Sequence, residues 1–171
     1  EMFVGFDIFH IEGYLVQNHE LIRTAVKMAK EAGLQVSVDL ASYNVVEENL
    51  DFLNEIIRDY IDIVFANEEE ARAFTGKEPE QVKIGKEGSF IKSGSESVLV
   101  KPRLANCIDT TGAGDLYAAG FLYGLANGYS LDICGKIGSL VSGNVVEVLG
   151  AKMTDEVWKQ IHTDIQKIIS A

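Results

Sequence analysis

Ile61-Asp62-Ile63-Val64-Phe65-Ala66 runs straight into Asn67-Glu68-Glu69-Glu70, and this junction decides the architecture. The first six residues are apolar and β-branched enough to form a strand. The carboxylates behind them suit the positive end of a helix dipole. That helix is expected from Glu68 to Thr75, with Gly76 as its stop. The same alternation lies upstream. Asp7-Ile8-Phe9-His10-Ile11 reads as a buried strand, and Asn18 caps a helix over 19–32 in which Leu21, Ile22, Ala25, Met28, Ala29 and Ala32 recur at helical spacing before Gly33. Leu34 to Leu40 is the next strand, and Leu50, Leu53, Ile56 and Ile57 line a further helix. Three β-α units in succession predict an α/β fold on a mostly parallel sheet.

After Gly76 the rhythm breaks. Lys77-Glu78-Pro79-Glu80-Gln81 is followed at once by a strand from Val82, although a parallel neighbour needs a crossover of about a dozen residues. Either residues are missing between Gln81 and Val82, or Val82-Lys83-Ile84 opens an antiparallel edge region. Ser89 to Lys92 and Val98 to Lys101 alternate around Gly-containing turns as hairpins do. Three helices should follow, Asp115 to Asn127, Leu131 to Leu149 and Asp155 to Ile169. The last carries Val157, Trp158, Ile161, Ile165 and Ile168 on one face.

Composition narrows the function classes. In 171 residues, 47% hydrophobic and 24% charged residues specify a folded core, as one globular unit or part of a larger one. Fifteen Lys and Arg against 26 Asp and Glu leave a net charge of −11, the wrong sign for a nucleic-acid partner. No apolar stretch long enough to span a membrane and no basic leader is visible, so neither a membrane nor export is expected. Cys107 and Cys134 lack metal or disulfide spacing and read as reduced packing residues of a cytoplasmic protein. His10, on a buried strand, reads as a satisfied core histidine, and no zinc site is evident. Glu12 and Asp39 follow strands one and two, at the carboxyl edge where α/β sheets bind ligands.

The densest chemical signal is Asp109-Thr110-Thr111-Gly112-Ala113-Gly114-Asp115, leading into a helix with Ala118, Ala119, Gly120 and Gly124. Free N–H groups and partial positive charge at a helix start, with glycines that admit an oxyanion, suit a phosphate. Asp115 in the first turn stands where it can take a proton from a hydroxyl attacking phosphorus. The plain alternative is a Gly-rich helix entry whose Asp merely complements the dipole.

This turn, with Ala119-Gly120-Phe121-Leu122 behind it, resembles the C-terminal signature of the PfkB or ribokinase-like kinases. The resemblance implies a three-layer α/β/α fold with a β-hairpin edge region. It also implies ATP-dependent phosphorylation of a sugar or nucleoside, with Asp115 as catalytic base and the N–H groups of Gly112, Ala113 and Gly114 as anion hole. Asn67-Glu68-Glu69-Glu70 looks like the family's Asn-x-x-Glu motif, in which Asn67 and Glu70 organise Mg²⁺ through water. Lys83-Ile84-Gly85-Lys86-Glu87-Gly88 resembles its nucleotide loop, which makes Lys83, Gly85 and Gly88 candidate ATP contacts. Ser139 falls where many relatives place an Asn near the adenine. Asp109, Thr111 and Gly150 match positions that in many relatives help bind a monovalent cation such as K⁺.

The match covers nearly all of 1–171 but only about the second half of a family member. The chain is therefore expected to be the C-terminal part of one kinase domain, inactive without its lid and substrate half. A homodimer through that lid is the expected assembly. Residues 11–15 and 115–124 look most like the adenosine kinase or sugar kinase branch. The alternatives are a kinase of the hydroxymethylpyrimidine or pyridoxal type and a nucleotide-binding domain that has lost activity.

Overall fold

The structure, a computed structural model, describes residues 2–76, 88–93 and 96–171, which divide into two compact units, Glu1–Val82 and Lys83–Ala171. In the first, β1 (Ile8–Ile11), β2 (Gln35–Asp39) and β3 (Ile63–Phe65) form a parallel sheet in that order. Phe9 stands beside Val36, and Val38 beside Val64. A single 3₁₀ turn (Gly13–Gln17), α1 (His19–Glu31), α2 (Tyr43–Glu48), α3 (Leu50–Asp59) and α4 (Glu68–Thr75) make the connections.

Each boundary has a local cause. Asn18 Oδ1 accepts the Leu21 N–H at 3.1 Å, and Gly33 ends the first helical segment at a φ of +83° that costs a glycine nothing. α1 buries Ile22, Val26 and Ala29, whereas Leu21 and Met28 of the expected stripe stay exposed. These residues meet Ile11, Val36 and Val38 of the sheet and Phe52, Leu53 and Ile56 of α3 in one core. α2 was not expected. Ser42 caps it through the Val45 N–H, and Val45 and Val46 anchor it in the same core.

The second unit pairs β4 (Ser89–Ser93) with β5 (Glu96–Val100) in an antiparallel hairpin, as the alternation predicted. Three helices follow, α5 (Ala113–Ala126), α6 (Leu131–Val145) and α7 (Asp155–Ser170). α5 and α6 approach closely because a Cβ on Gly120 would stand 2.9 Å from Gly138 Cα, and one on Gly124 would stand 3.0 Å from Cys134 Cα. α7 seats Ile161 and Ile165 against Ile137 and Val141 of α6.

Two expectations need correction. α6 ends at Val145, not Leu149, because the backbone of residues 146–150 turns away to bond residues 106–109, leaving Leu149 exposed. Cys134 is buried, but Cys107 is exposed in the link between β5 and α5 and is not a core residue. Lys83, Gly85 and the junction of Gln81 with Val82 lie outside the described residues. Among those described, no helix is long and apolar enough to cross a membrane.

Candidate functional site

In the second unit the glycine-rich turn is built around Gly112. Its φ of +78° places it in the left-handed region, and a Cβ there would stand 2.7 Å from Ala151 Cβ, so only glycine fits. The backbone then enters α5 directly. The Ala113 N–H turns back to Thr110 O at 3.1 Å, and the first bond along the helix runs from Leu116 N to Gly112 O at 2.9 Å. Gly114 and Asp115 thus head the helix ahead of that bond, so of the three donors read from the sequence, Ala113 is the one turned inward. Among the described residues, nothing beyond the adjoining backbone lies within 4 Å of where a Gly114 Cβ would stand, which leaves open space beside the first turn of the helix.

Asp115 is exposed in the first turn of α5 and bonds no other side chain among the described residues. Its carboxylate is available to a bound hydroxyl. Asp109, by contrast, is fully engaged. Oδ1 accepts the Thr111 N–H at 3.0 Å and its hydroxyl at 2.8 Å, and Oδ2 accepts the Gly150 N–H at 2.8 Å. The N–H groups of Thr111 and Gly150, then the Thr111 hydroxyl, hold the Asp109 carboxyl below the usual carboxylate range. The structure therefore brings Asp109, Thr111 and Gly150 together as a closed turn. Within this turn Asp109 accepts three hydrogen bonds, and Gly150 contributes its N–H.

Ser139, on α6, accepts the Arg103 N–H at 2.9 Å and donates to Lys101 O at 3.4 Å, so its hydroxyl is spent on the chain. Gly88, at the start of the hairpin, has a φ of +118°. A Cβ there would run into Val100 O, so it serves close strand approach.

In the first unit, Asn67 and Glu70 form a reciprocal cap at the start of α4. Asn67 Oδ1 accepts the Glu70 N–H at 2.9 Å, while Glu70 accepts the Asn67 N–H at 2.8 Å and its side-chain N–H at 2.6 Å. Glu70 is buried, and burial pushes its carboxyl up against the lowering effect of the Asn67 N–H, with Asp39 and Glu69 adding repulsion. Among the described residues no three acidic, His or Cys side chains form a metal cage. The pair fits a cation that keeps its own water shell and neutralises a crowded carboxylate, and it does not fit direct ligation.

The raised carboxyl has a checkable consequence. Ionising Glu70 costs more in the folded state, so its contribution to stability is full below the unfolded value of about 4.3 and is lost as pH rises through the folded value. Glu70→Gln keeps an oxygen for the Asn67 N–H and cannot ionise. The Tm of this variant relative to wild type should rise as pH is raised above about 4.3; a pH-independent difference would contradict the assignment.

At the carboxyl edge of the sheet, Asp39 Oδ1 accepts the Ala41 N–H at 2.7 Å and supports Ala41 at a φ of +62°. Gly13 packs where a Cβ would meet the backbone of Asp39 and Leu40. His10 is satisfied as expected, bonding Ser37 Oγ at 2.8 Å with Glu12 at 3.8 Å on its other nitrogen.

The sequence reading missed Arg103 and Glu147, which pair at 3.2 Å beneath the turn. The signal for Glu147 was a lone carboxylate inside Val145-Val146-Glu147-Val148-Leu149, a poor place for charge on a buried helix face.

A family model described as pfkB family carbohydrate kinase matches residues 2–157. The crystal structure of adenosine kinase from Sinorhizobium meliloti superposes with a TM-score of 0.84 at 32% identity, covering 92% of this chain and 54% of that one. An uncharacterized sugar kinase of Archaeoglobus fulgidus is 46% identical over 55 residues, 32% of this chain and 22% of that protein. A nucleoside kinase of Methanocaldococcus jannaschii is 42% identical over 60 residues, 35% of this chain and 20% of that protein. The chain spans about half the length of the solved relative.

Proposed function

Because the chain belongs to the pfkB family of carbohydrate kinases, we propose that it is the C-terminal part of an enzyme that moves the γ-phosphoryl group of ATP to a primary hydroxyl of a sugar or nucleoside. The observation that carries this reading is Asp115, exposed and, among the described residues, unengaged by other side chains, in the first turn of a helix whose entry only Gly112 can make. With a net charge of −11, the chain as a whole repels a triphosphate, so the attraction must be local. The N–H groups of Gly112 and Gly114, and the start of α5, are the donors that would receive the transferring oxygens. Asp115 accepts the proton of the acceptor hydroxyl as its oxygen attacks phosphorus.

Bound Mg²⁺ would neutralise charge on the phosphates. Asn67 and Glu70 are the residues we assign to it, acting through water. Lys83, Gly85 and Gly88 are assigned to the nucleotide loop and Ser139 to the adenine side, where its hydroxyl would act by shaping the chain. A monovalent cation such as K⁺, when bound, would be held by Asp109, Thr111 and the chain near Gly150. We also propose a cytoplasmic location, where ATP is supplied.

Adenosine or another ribosyl acceptor is favoured by the 32% identity to an adenosine kinase over 92% of the chain. ADP release by the full-length protein should be measured with adenosine, other nucleosides, free sugars, hydroxymethylpyrimidine and pyridoxal. Turnover fastest on a nucleoside or sugar is expected. Turnover confined to the two ring vitamins, or ADP release without any acceptor, would contradict the reading.

A further inference from the structure

Residues 101–112 join β5 to α5 without regular structure, so the aim of the phosphate turn depends on what holds this link. Its hydrogen bonds converge on α6 and the turn behind it. Arg103 donates through Nη1 to Gly143 O at 2.8 Å and to Glu147 Oε2 at 3.2 Å. The Asn106 N–H donates to the other oxygen, Glu147 Oε1, at 3.0 Å. The Ile108 N–H reaches Val146 O at 2.7 Å, and Asp109 takes the Gly150 N–H. The Arg103 stem lies across Gly143, 2.9 Å from where a Cβ would stand, so the guanidinium can approach only because that residue is glycine.

We propose that Glu147 is a positioning residue for the phosphoryl-transfer site, clamping Arg103 and Asn106 to the end of α6 so that residues 107–111 deliver Gly112 to Asp115 in one fixed orientation. The proposal rests on the kinase reading for its effect on rate, and on geometry alone for its effect on the link. Glu147 and Arg103 keep about a third of their side-chain surface exposed, 33% and 34%. A pair this wet adds little to stability. A misplacement of about 1 Å near the chemistry, in contrast, can cost about 10²-fold in rate. The clamp should therefore matter to turnover much more than to folding.

In the full-length protein, Glu147→Ala should lower kcat about 10- to 100-fold, with the acceptor KM within about twofold and Tm nearly unchanged. Glu147→Gln can still accept the Asn106 N–H and should recover most of that loss. Hydrogen exchange supplies the readout that does not need activity: the Ile108 and Asp109 amides, which Glu147 does not itself bond, should exchange faster in Glu147→Ala while α7 amides do not. Unchanged exchange at Ile108 and Asp109 would overturn the clamp. So would a fall in kcat matched by a fall in the folded fraction. Faster exchange in a protein whose wild type transfers no phosphoryl group would support the clamp and overturn the kinase reading.

Discussion

Asp115→Asn in the full-length protein is expected to lower kcat by about 10²–10⁴-fold while leaving ATP affinity and Tm close to wild type. Asparagine keeps the size of the side chain and its place in the first turn but cannot take a proton at neutral pH. Asp115 supports no other side chain among the described residues, so no packing is lost with its charge. The N–H groups at the helix start remain, and they account for the residual rate. A variant with near-normal turnover would remove Asp115 from the mechanism. One with normal chemistry but lost ATP binding would make it a nucleotide contact instead.

The second large effect is expected at Gly112. Alanine there must adopt a left-handed φ of +78° and place its methyl carbon 2.7 Å from Ala151 Cβ. The left-handed conformation alone costs about 1–2 kcal/mol. The clash adds to that and is relieved only by shifting the turn away from residue 151. Since losing one oxyanion donor costs about 10²–10³-fold, a shifted turn should lower kcat by at least about 10²-fold. Gly114→Ala provides the contrast in stability: its methyl enters open space, so Tm should hold where Gly112→Ala loses several degrees. Equal Tm values for the two variants would contradict the strain at Gly112.

What was legible in the sequence depended on where each cause lay. α4 runs from Glu68 to Thr75 as read, because its start and stop are local: three carboxylates at the head, and Gly76 at a φ of +65° at the tail. The hairpin and the parallel order of β1 to β3 followed from alternation and spacing for the same reason. α6 was read four residues too long because Val146 to Leu149 look like more apolar helix. What turns them aside is bonding to residues 106–109, about forty positions earlier. Among the candidate site residues, Gly112 and Asp115 were visible as a motif with its own chemistry. That the Ala113 N–H faces Thr110, that Ser139 is occupied by the backbone, and that Glu147 holds Arg103 are facts of long-range or turn geometry that no local pattern encodes.

If the Gly112 to Asp115 turn carries phosphoryl transfer, phosphorus NMR of ATP incubated with the full-length protein, Mg²⁺ and the best acceptor should show the γ-phosphate signal replaced, in step with ADP, by a phosphomonoester on the acceptor's primary hydroxyl, and Asp115→Asn should nearly abolish this signal. A folded protein that forms no phosphomonoester with any sugar or nucleoside, or an Asp115→Asn variant that forms it at the wild-type rate, would remove the turn from the chemistry.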